Sequence, residues 1–268
     1  QCVINKYHWS SKSLSIKNLE SILVDNLYKS TKDQNMIQPL YAESGLDPRR
    51  TEKVKFLTVL ISDKEMLEYK TKLSDLDPMY RNKNVQYALD DEFEQLIKDR
   101  DEYREIFFKI ENNNPGNILI DNSHQMPVNI FRIIEDVVYN YKDEIAQLPK
   151  AQKILDPIKT INKVLELCRV LPYAYYNETQ EKNNMKIPEY IRKATTLVCI
   201  LLRSYLCTSN LLKKGITDKL LDIIIVKIRI TFKKALIDYG CAVGIIAAQC
   251  ISEPMTQYVL DSKHRTGG

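Results

Sequence analysis

Chain-breaking residues are scarce in this sequence. Only 7 of its 268 residues are glycine and 10 are proline, where glycine alone averages about 7% of an ordinary domain. That scarcity argues against a many-turned β sandwich and for long helices. The longest apolar stretches, such as Leu220 to Val226, meet Asp or Lys long before the roughly 18 residues a membrane span needs. Histidine is limited to three positions, and the six cysteines (Cys2, Cys168, Cys199, Cys207, Cys241 and Cys250) form no C-x-x-C pair and sit beside no histidine cluster. A zinc centre of the usual spacing is thereby disfavoured. Most of these cysteines lie among aliphatic residues, where a free thiol behaves as a small hydrophobe, as expected of an intracellular, reducing compartment.

What is present is enough for a core. Apolar residues make up 44% and charged residues 28%, and 39 Lys and Arg against 35 Asp and Glu leave a formal charge of +4. Such a balance neither demands nucleic acid nor excludes it. The length fits one large domain or two small ones. Gln1 rather than Met opens the chain, as expected of a processed product or a segment of something longer.

Read along the chain, residues 2–9 are β-prone and followed by a Ser-rich connection. Leu-Asp-Pro occurs at Leu46, Leu76 and Leu155; Asp can cap a helix whose first turn Pro suits. Phe93, Leu96, Ile97, Tyr103, Phe107 and Ile110 recur near helical spacing, predicting an amphipathic helix from Asp90 to Glu111 with a solvated face. Asn112 to Gly116 reads as a turn and Ile118 to Ile120 as a small strand. A helix bearing Ile130, Ile133, Ile134 and Val137 should follow Pro127. After a polar loop at 177–184, Pro188 should open a buried helix carrying Ile191, Val198, Leu201, Leu202 and Leu206. The 3-4-4 spacing of Leu221, Ile224, Ile225, Ile228, Phe232, Ala235 and Leu236 predicts a helix from Thr217 to Tyr239, with Gly240 as its left-handed cap. The fold class is mainly α with minor β. Lys213, Lys214, Lys233 and Lys234 fit helix-end charges better than a DNA-binding patch, and His8 and His124 fit loop or surface positions without catalytic roles.

The last 29 residues obey different rules. Gly244, Ala247 and Ala248 sit three and four apart, so another backbone can approach closely, and Pro254 ends one helix while suiting the first turn of another. On that second helix, at about 100° per residue, Gln257, Leu260, Asp261 and His264 share one stripe. Met255 and Val259 lie roughly opposite and can anchor it. Gly267 and Gly268 suit a hinge.

The stretch Ala242–Gly268 resembles the segment entering the trigger loop in the largest subunit of multisubunit DNA-directed RNA polymerases. Gly244, Ala247, Ala248, Gln249, Glu253, Pro254, Thr256, Gln257, Leu260, His264 and Gly267 occupy matching positions. Phe93–Phe107, Val128–Val137 and Ala194–Leu206 resemble, in the eukaryotic type, the foot region between bridge helix and trigger loop. Cys250, Ser252, Asp261 and Lys263 depart from the usual pattern, as in a divergent enzyme of the kind encoded by large DNA viruses such as African swine fever virus.

The resemblance implies a helical foot-like domain over 1–236, then the start of the cleft region and the N-terminal trigger-loop helix over 237–268. It implies that Gln257 reads the ribose hydroxyls of a nucleoside triphosphate (NTP), that Leu260 packs on its base, and that Asp261 lies beside substrate. Asp261 can equally pair with Arg265 across one helical turn. His264 would approach the triphosphate as the catalytic residue. No Asp-rich metal motif occurs in the chain, so Mg2+ would be bound by residues outside this segment, and the segment alone should be inactive. Implied partners are the other polymerase subunits, template DNA, RNA and NTP, with no membrane. The expected location is a viral factory or virion if the source is viral, and the nucleus if it is cellular. The competing reading is a non-catalytic helical scaffold or protein-interaction module.

Overall fold

Helices dominate the computed structural model, which describes residues 16–25, 29–32, 35–107, 122–141, 154–176 and 187–252. The strands are β1 (Ile22–Val24), β2 (Ser30–Lys32), β3 (Asn35–Gln38), β4 (Glu52–Lys55) and β5 (Ser123–Met126). The helices are α1 (Asp63–Met66), α2 (Lys83–Phe107), α3 (Ile130–Asn140), α4 (Pro157–Val170), α5 (Glu189–Tyr205), α6 (Thr208–Lys213) and α7 (Asp218–Ala235), followed by α8 over 243–252. The expected mainly α architecture with minor strands is what forms. Two compact units arise, Pro48–Leu236 and a second that combines Gln1–Asp47 with Ile237–Gly268.

In the larger unit α5 is the central helix. Ile200, Leu201, Leu202 and the following Leu206 are fully buried, and removing each such side chain from water contributes about 1.5–3 kcal/mol. Helices α2, α3 and α4 pack on α5, and α7 packs on α3 and α4. Helix α3 buries the four apolar residues the spacing picked out, Ile130, Ile133, Ile134 and Val137. Its first turn is capped by the Asn129 side chain, which accepts from the Arg132 amide at 3.2 Å. Two of the three Leu-Asp-Pro sites show the expected capping. Asp156 accepts from the amides of Ile158 and Lys159 at 3.1 and 3.3 Å, and Asp77 from that of Met79 at 3.1 Å. At the third, Pro48 opens a short 3-10 turn. Strands β4 and β5 pair antiparallel, Val54 opposite His124.

Several boundaries differ from the sequence reading. Helix α2 begins at Lys83 rather than Asp90, and its described part ends at Phe107. Its polar face is not all solvated: Asp99 and Arg100 are buried. Helix α7 stops at Ala235, four residues short of Tyr239, because Leu236 turns extended with ψ 149°. Arg50 Nη1 donates to the Lys234 and Leu236 carbonyls at 2.9 and 3.2 Å, so an arginine rather than a glycine satisfies this helix end. Gly240 does hold a left-handed φ of 72°, but in a separate turn. His124 is not a loop residue either. It lies half-buried in β5, where Tyr103 Oη hydrogen-bonds its Nε2 and Phe107 stacks on its ring at 4.5 Å. The stretches 2–9, 112–116, 118–120 and 177–184 lie outside the described residues.

The strongest polar tie in the larger unit joins α2 to α5. Asp99, 1% exposed, receives Arg203 Nε at 2.5 Å and Nη2 at 2.7 Å, with Gln95 Nε2 adding a third donor at 2.8 Å. Removing one partner strands the other's charge, which typically costs about 3–5 kcal/mol. Arg203→Ala should therefore destabilise the chain by about that amount in urea melts. A joint Asp99→Leu, Arg203→Met replacement should recover most of the loss; a double variant as unstable as the single would show that packing, not charge, is responsible.

Candidate functional site

The sequence placed its chemistry after Pro254. Gln257, Leu260, Asp261 and His264 all lie outside the described residues, so the structure defines the platform that leads to them. That platform is the smaller unit. Strands β1, β2 and β3 form an antiparallel sheet in that order, with Leu23 opposite Thr31 and Thr31 opposite Met36. The C-terminal segment is tied to β1 by backbone bonds. The Gly240 amide donates to the Val24 carbonyl at 2.8 Å, and the Val24 amide to the Cys241 carbonyl at 3.2 Å. The Ile237 amide donates to the Gly45 carbonyl at 3.0 Å. Only a left-handed residue suits position 240, which is why glycine serves there.

Helix α8 then packs on the segment before β1. A Cβ at Gly244 would run into the Leu19 carbonyl oxygen and lie 2.8 Å from Ile22 Cβ and 2.9 Å from the Leu19 carbonyl carbon. The predicted close approach is therefore real, and its partner is the backbone of residue 19. Of the two alanines paired with Gly244 in the sequence reading, Ala248 is buried whereas Ala247 is exposed. At the far end of α8 the Ser252 hydroxyl donates to the Ala248 carbonyl at 2.7 Å. A backbone carbonyl cannot yield as a flexible side chain can, so Gly244→Ala must push α8 away. Overpacking of this kind costs roughly 1–3 kcal/mol. Hydrogen exchange should show the Val24 and Gly240 amides losing protection in this variant while α5 keeps its own; unchanged exchange at both amides would mean the contact is dispensable.

The larger unit holds a second group of chemically distinctive side chains. Glu92 on α2 lines a cavity of about 180 Å³ with Gln95, Leu96, Ile161, Val164 and Arg203. Its Oε1 accepts from the Thr208 amide and hydroxyl at 3.0 and 3.1 Å, satisfying the start of α6. Burial pushes the Glu92 carboxyl up to about 7, and the two Thr208 bonds pull against that shift. The folded state thus retains a proton that an unfolded glutamate releases near 4.5. Stability should be highest below that pH and fall as pH rises through 7, by up to about 3 kcal/mol. Glu92→Gln should flatten this slope in denaturant melts between pH 5 and 8, whereas an identical slope in the variant would assign it elsewhere.

The lysines are engaged locally. Lys214 pairs with Glu135 and lies 4.5 Å over the Phe131 ring. Lys213 donates to the Glu68 carbonyl at 3.3 Å, and Lys233 and Lys234 are exposed in the last turn of α7. Among the described residues no three His, Cys, Asp or Glu side chains converge as a metal site requires, so none is assigned to Mg2+. No helix among them is long and apolar enough to cross a membrane. Sequence reasoning did not find the Asp99–Arg203 pair, the Glu92 site or the contact between Cys168 and Cys199. Their partners are 104, 116 and 31 residues apart, beyond the reach of any local pattern.

Comparison with known proteins bears on most of the chain. Residues 51–235 match the model of RNA polymerase Rpb1, domain 6. The chain is 38% identical over 253 residues to the DNA-directed RNA polymerase RPB1 homolog of African swine fever virus isolate Pig/Kenya/KEN-50/1950, and equally to that of isolate Tick/South Africa/Pretoriuskop Pr4/1996. Each alignment covers 94% of this chain but only 16% of the relative.

Proposed function

This chain belongs to the family of RNA polymerase largest subunits, and on that premise we propose that it is the segment whose C-terminal end carries the nucleotide-contacting trigger-loop helix for RNA synthesis. The observation that carries this reading is a platform tied together by backbone contacts, from which the sequence continues into a polar stripe. Helix α8 is held by the Leu19 contact at Gly244 and by backbone bonds around Val24, and the sequence runs from it through Pro254 into Gln257, Leu260, Asp261 and His264. A fixed base is what a swinging helix requires, because closure then returns the same side chains to the same place.

In this reading residues 1–236 chiefly support assembly with other polymerase subunits, and residues 237–268 enter the mobile element. Large apolar side chains left in solvent suit that assembly role: Tyr139 is 82% exposed, and Val226 and Ile230 on α7 are 54% and 49% exposed. Gln257 hydrogen-bonds the ribose hydroxyls of an incoming NTP and Leu260 packs on its base. His264 places a donor, and positive charge when protonated, against the triphosphate where negative charge develops. In the same reading Asp261 either lies beside substrate or pairs with Arg265, four residues on. Mg2+, held elsewhere in the polymerase, would polarise the phosphates; the residues of this chain orient the nucleotide and exclude water.

The test uses the assembled polymerase on a preformed elongation scaffold, with single-nucleotide addition as readout. His264→Ala should slow addition by about 10²-fold, within the range of a positioned donor, while assembly and template binding stay intact. His264→Gln should retain more activity if positioning dominates and no more than Ala if the proton is essential. Wild-type rates for His264→Ala at both saturating and limiting NTP would remove the trigger-loop assignment, leaving a segment whose work is assembly.

A further inference from the structure

We propose that Cys168 and Cys199 form a peroxide-responsive dithiol, in which Cys168 is oxidised to a sulfenic acid and Cys199 then closes a disulfide that ties α4 to α5. The two residues face each other across adjacent helices, with Cys199 Sγ donating to the Cys168 carbonyl oxygen at 3.8 Å. Cys168 is half-buried and Cys199 buried. Both line an open cavity of about 550 Å³, together with Arg169, Arg192 and Arg203. A small hydroperoxide can enter that space and reach the more accessible sulfur.

The surroundings separate the two thiols by role. The neighbouring Cys199 thiol holds the Cys168 thiol below its usual range. Burial opposes this, the Arg203 guanidinium supports it, and Asp99 works against Arg203. The same contact and burial drive the Cys199 thiol upward. Attack on peroxide requires the thiolate, which identifies Cys168 as the sulfur that reacts and Cys199 as the one that resolves. Among the other described cysteines, none lines this cavity. Burial pushes the Cys207 thiol up to about 12, and Cys250 is exposed but does not line this cavity.

The chemistry balances in two steps. Cys168 sulfur attacks one oxygen of ROOH, the O–O bond breaks, and the departing alkoxide takes the thiol proton as ROH. This leaves Cys–SOH, oxidised by two electrons. Cys199 sulfur then attacks the Cys168 sulfur, the S–O bond breaks, and hydroxide leaves with the Cys199 proton as water. A dithiol reductant restores both thiols, so the bond is transient in a reducing compartment.

The full chain is treated with hydrogen peroxide, remaining thiols are alkylated, and peptides are read by mass spectrometry. The expected product is a Cys168–Cys199 linked peptide, two hydrogens lighter than the separate thiols and reversed by dithiothreitol. It should form at least tenfold faster than Cys250 oxidises. In Cys199→Ser, Cys168 should accumulate as a sulfenic acid trapped by dimedone; in Cys168→Ser neither product should form. Oxidation of Cys250 as fast as Cys168, or a linked peptide no more abundant than other pairings, would overturn the proposal. That competition is read in the unmodified chain, so a variant that fails to fold cannot shield it.

Discussion

A carboxylate and a guanidinium, taken out of water together, organise the larger unit. Asp99 and Arg203 meet in a two-pronged contact between α2 and α5, and the rest of the interior is arranged so that neither is left alone. Gln95 supplies the next donor to the same carboxylate. Leu96, one residue further along α2, packs with Met66 and Cys207, while on α5 Leu201 and Leu202 next to Arg203 are fully buried. A pair so enclosed adds little net stability against an apolar replacement of equal shape, but it penalises any register of α2 on α5 that separates the charges. Its contribution is therefore to select one packing among several that would bury similar apolar area.

The same constraint explains where the remaining polar groups of this region sit. Arg203 reaches the cavity shared with Glu92 on one side and the cavity holding Cys168 and Cys199 on the other. Glu92 is occupied with Thr208 at the start of α6, and Arg203 with Asp99. One cation thus stands between an acid that burial keeps protonated near neutrality and a thiol pair that a cation helps to ionise.

How much of this was legible in the sequence depends on the range over which each feature is encoded. The Ile130, Ile133, Ile134, Val137 stripe and the Asp156-Pro157 start are local patterns, and both became the elements they predicted. The end of α7 was misplaced because its stop comes from Arg50, 184 residues from Lys234 along the chain; the apolar spacing ran on through Leu236 and Gly240 offered a plausible but incorrect cap. His124 looked unremarkable because its partners Tyr103 and Phe107 lie on α2, in another part of the sequence. Gly244 announced a close contact without naming Leu19. The stripe proposed to contact nucleotide, Gln257, Leu260 and His264, rests on a motif in the sequence alone, and it lies outside the described residues.

That contrast bears on how such a segment can diverge. The platform under α8 relies on backbone groups: the carbonyls of Leu19, Val24 and Cys241 and the amides of Val24 and Gly240. Backbone contacts specify almost nothing about the side chains around them, apart from the demand for glycine at 240 and 244. Substitutions such as Cys250 and Ser252 are therefore accommodated provided those two glycines stay, and Ser252 even folds its hydroxyl back onto the helix at Ala248. Asp261 is different in kind. Under the proposed function it would put a carboxylate next to a polyanionic substrate, where like charge repels. Either Arg265 compensates it within the helix, or the cations around the triphosphate must. An enzyme with this residue would bind nucleotide with a steeper dependence on divalent cation than one with an amide there.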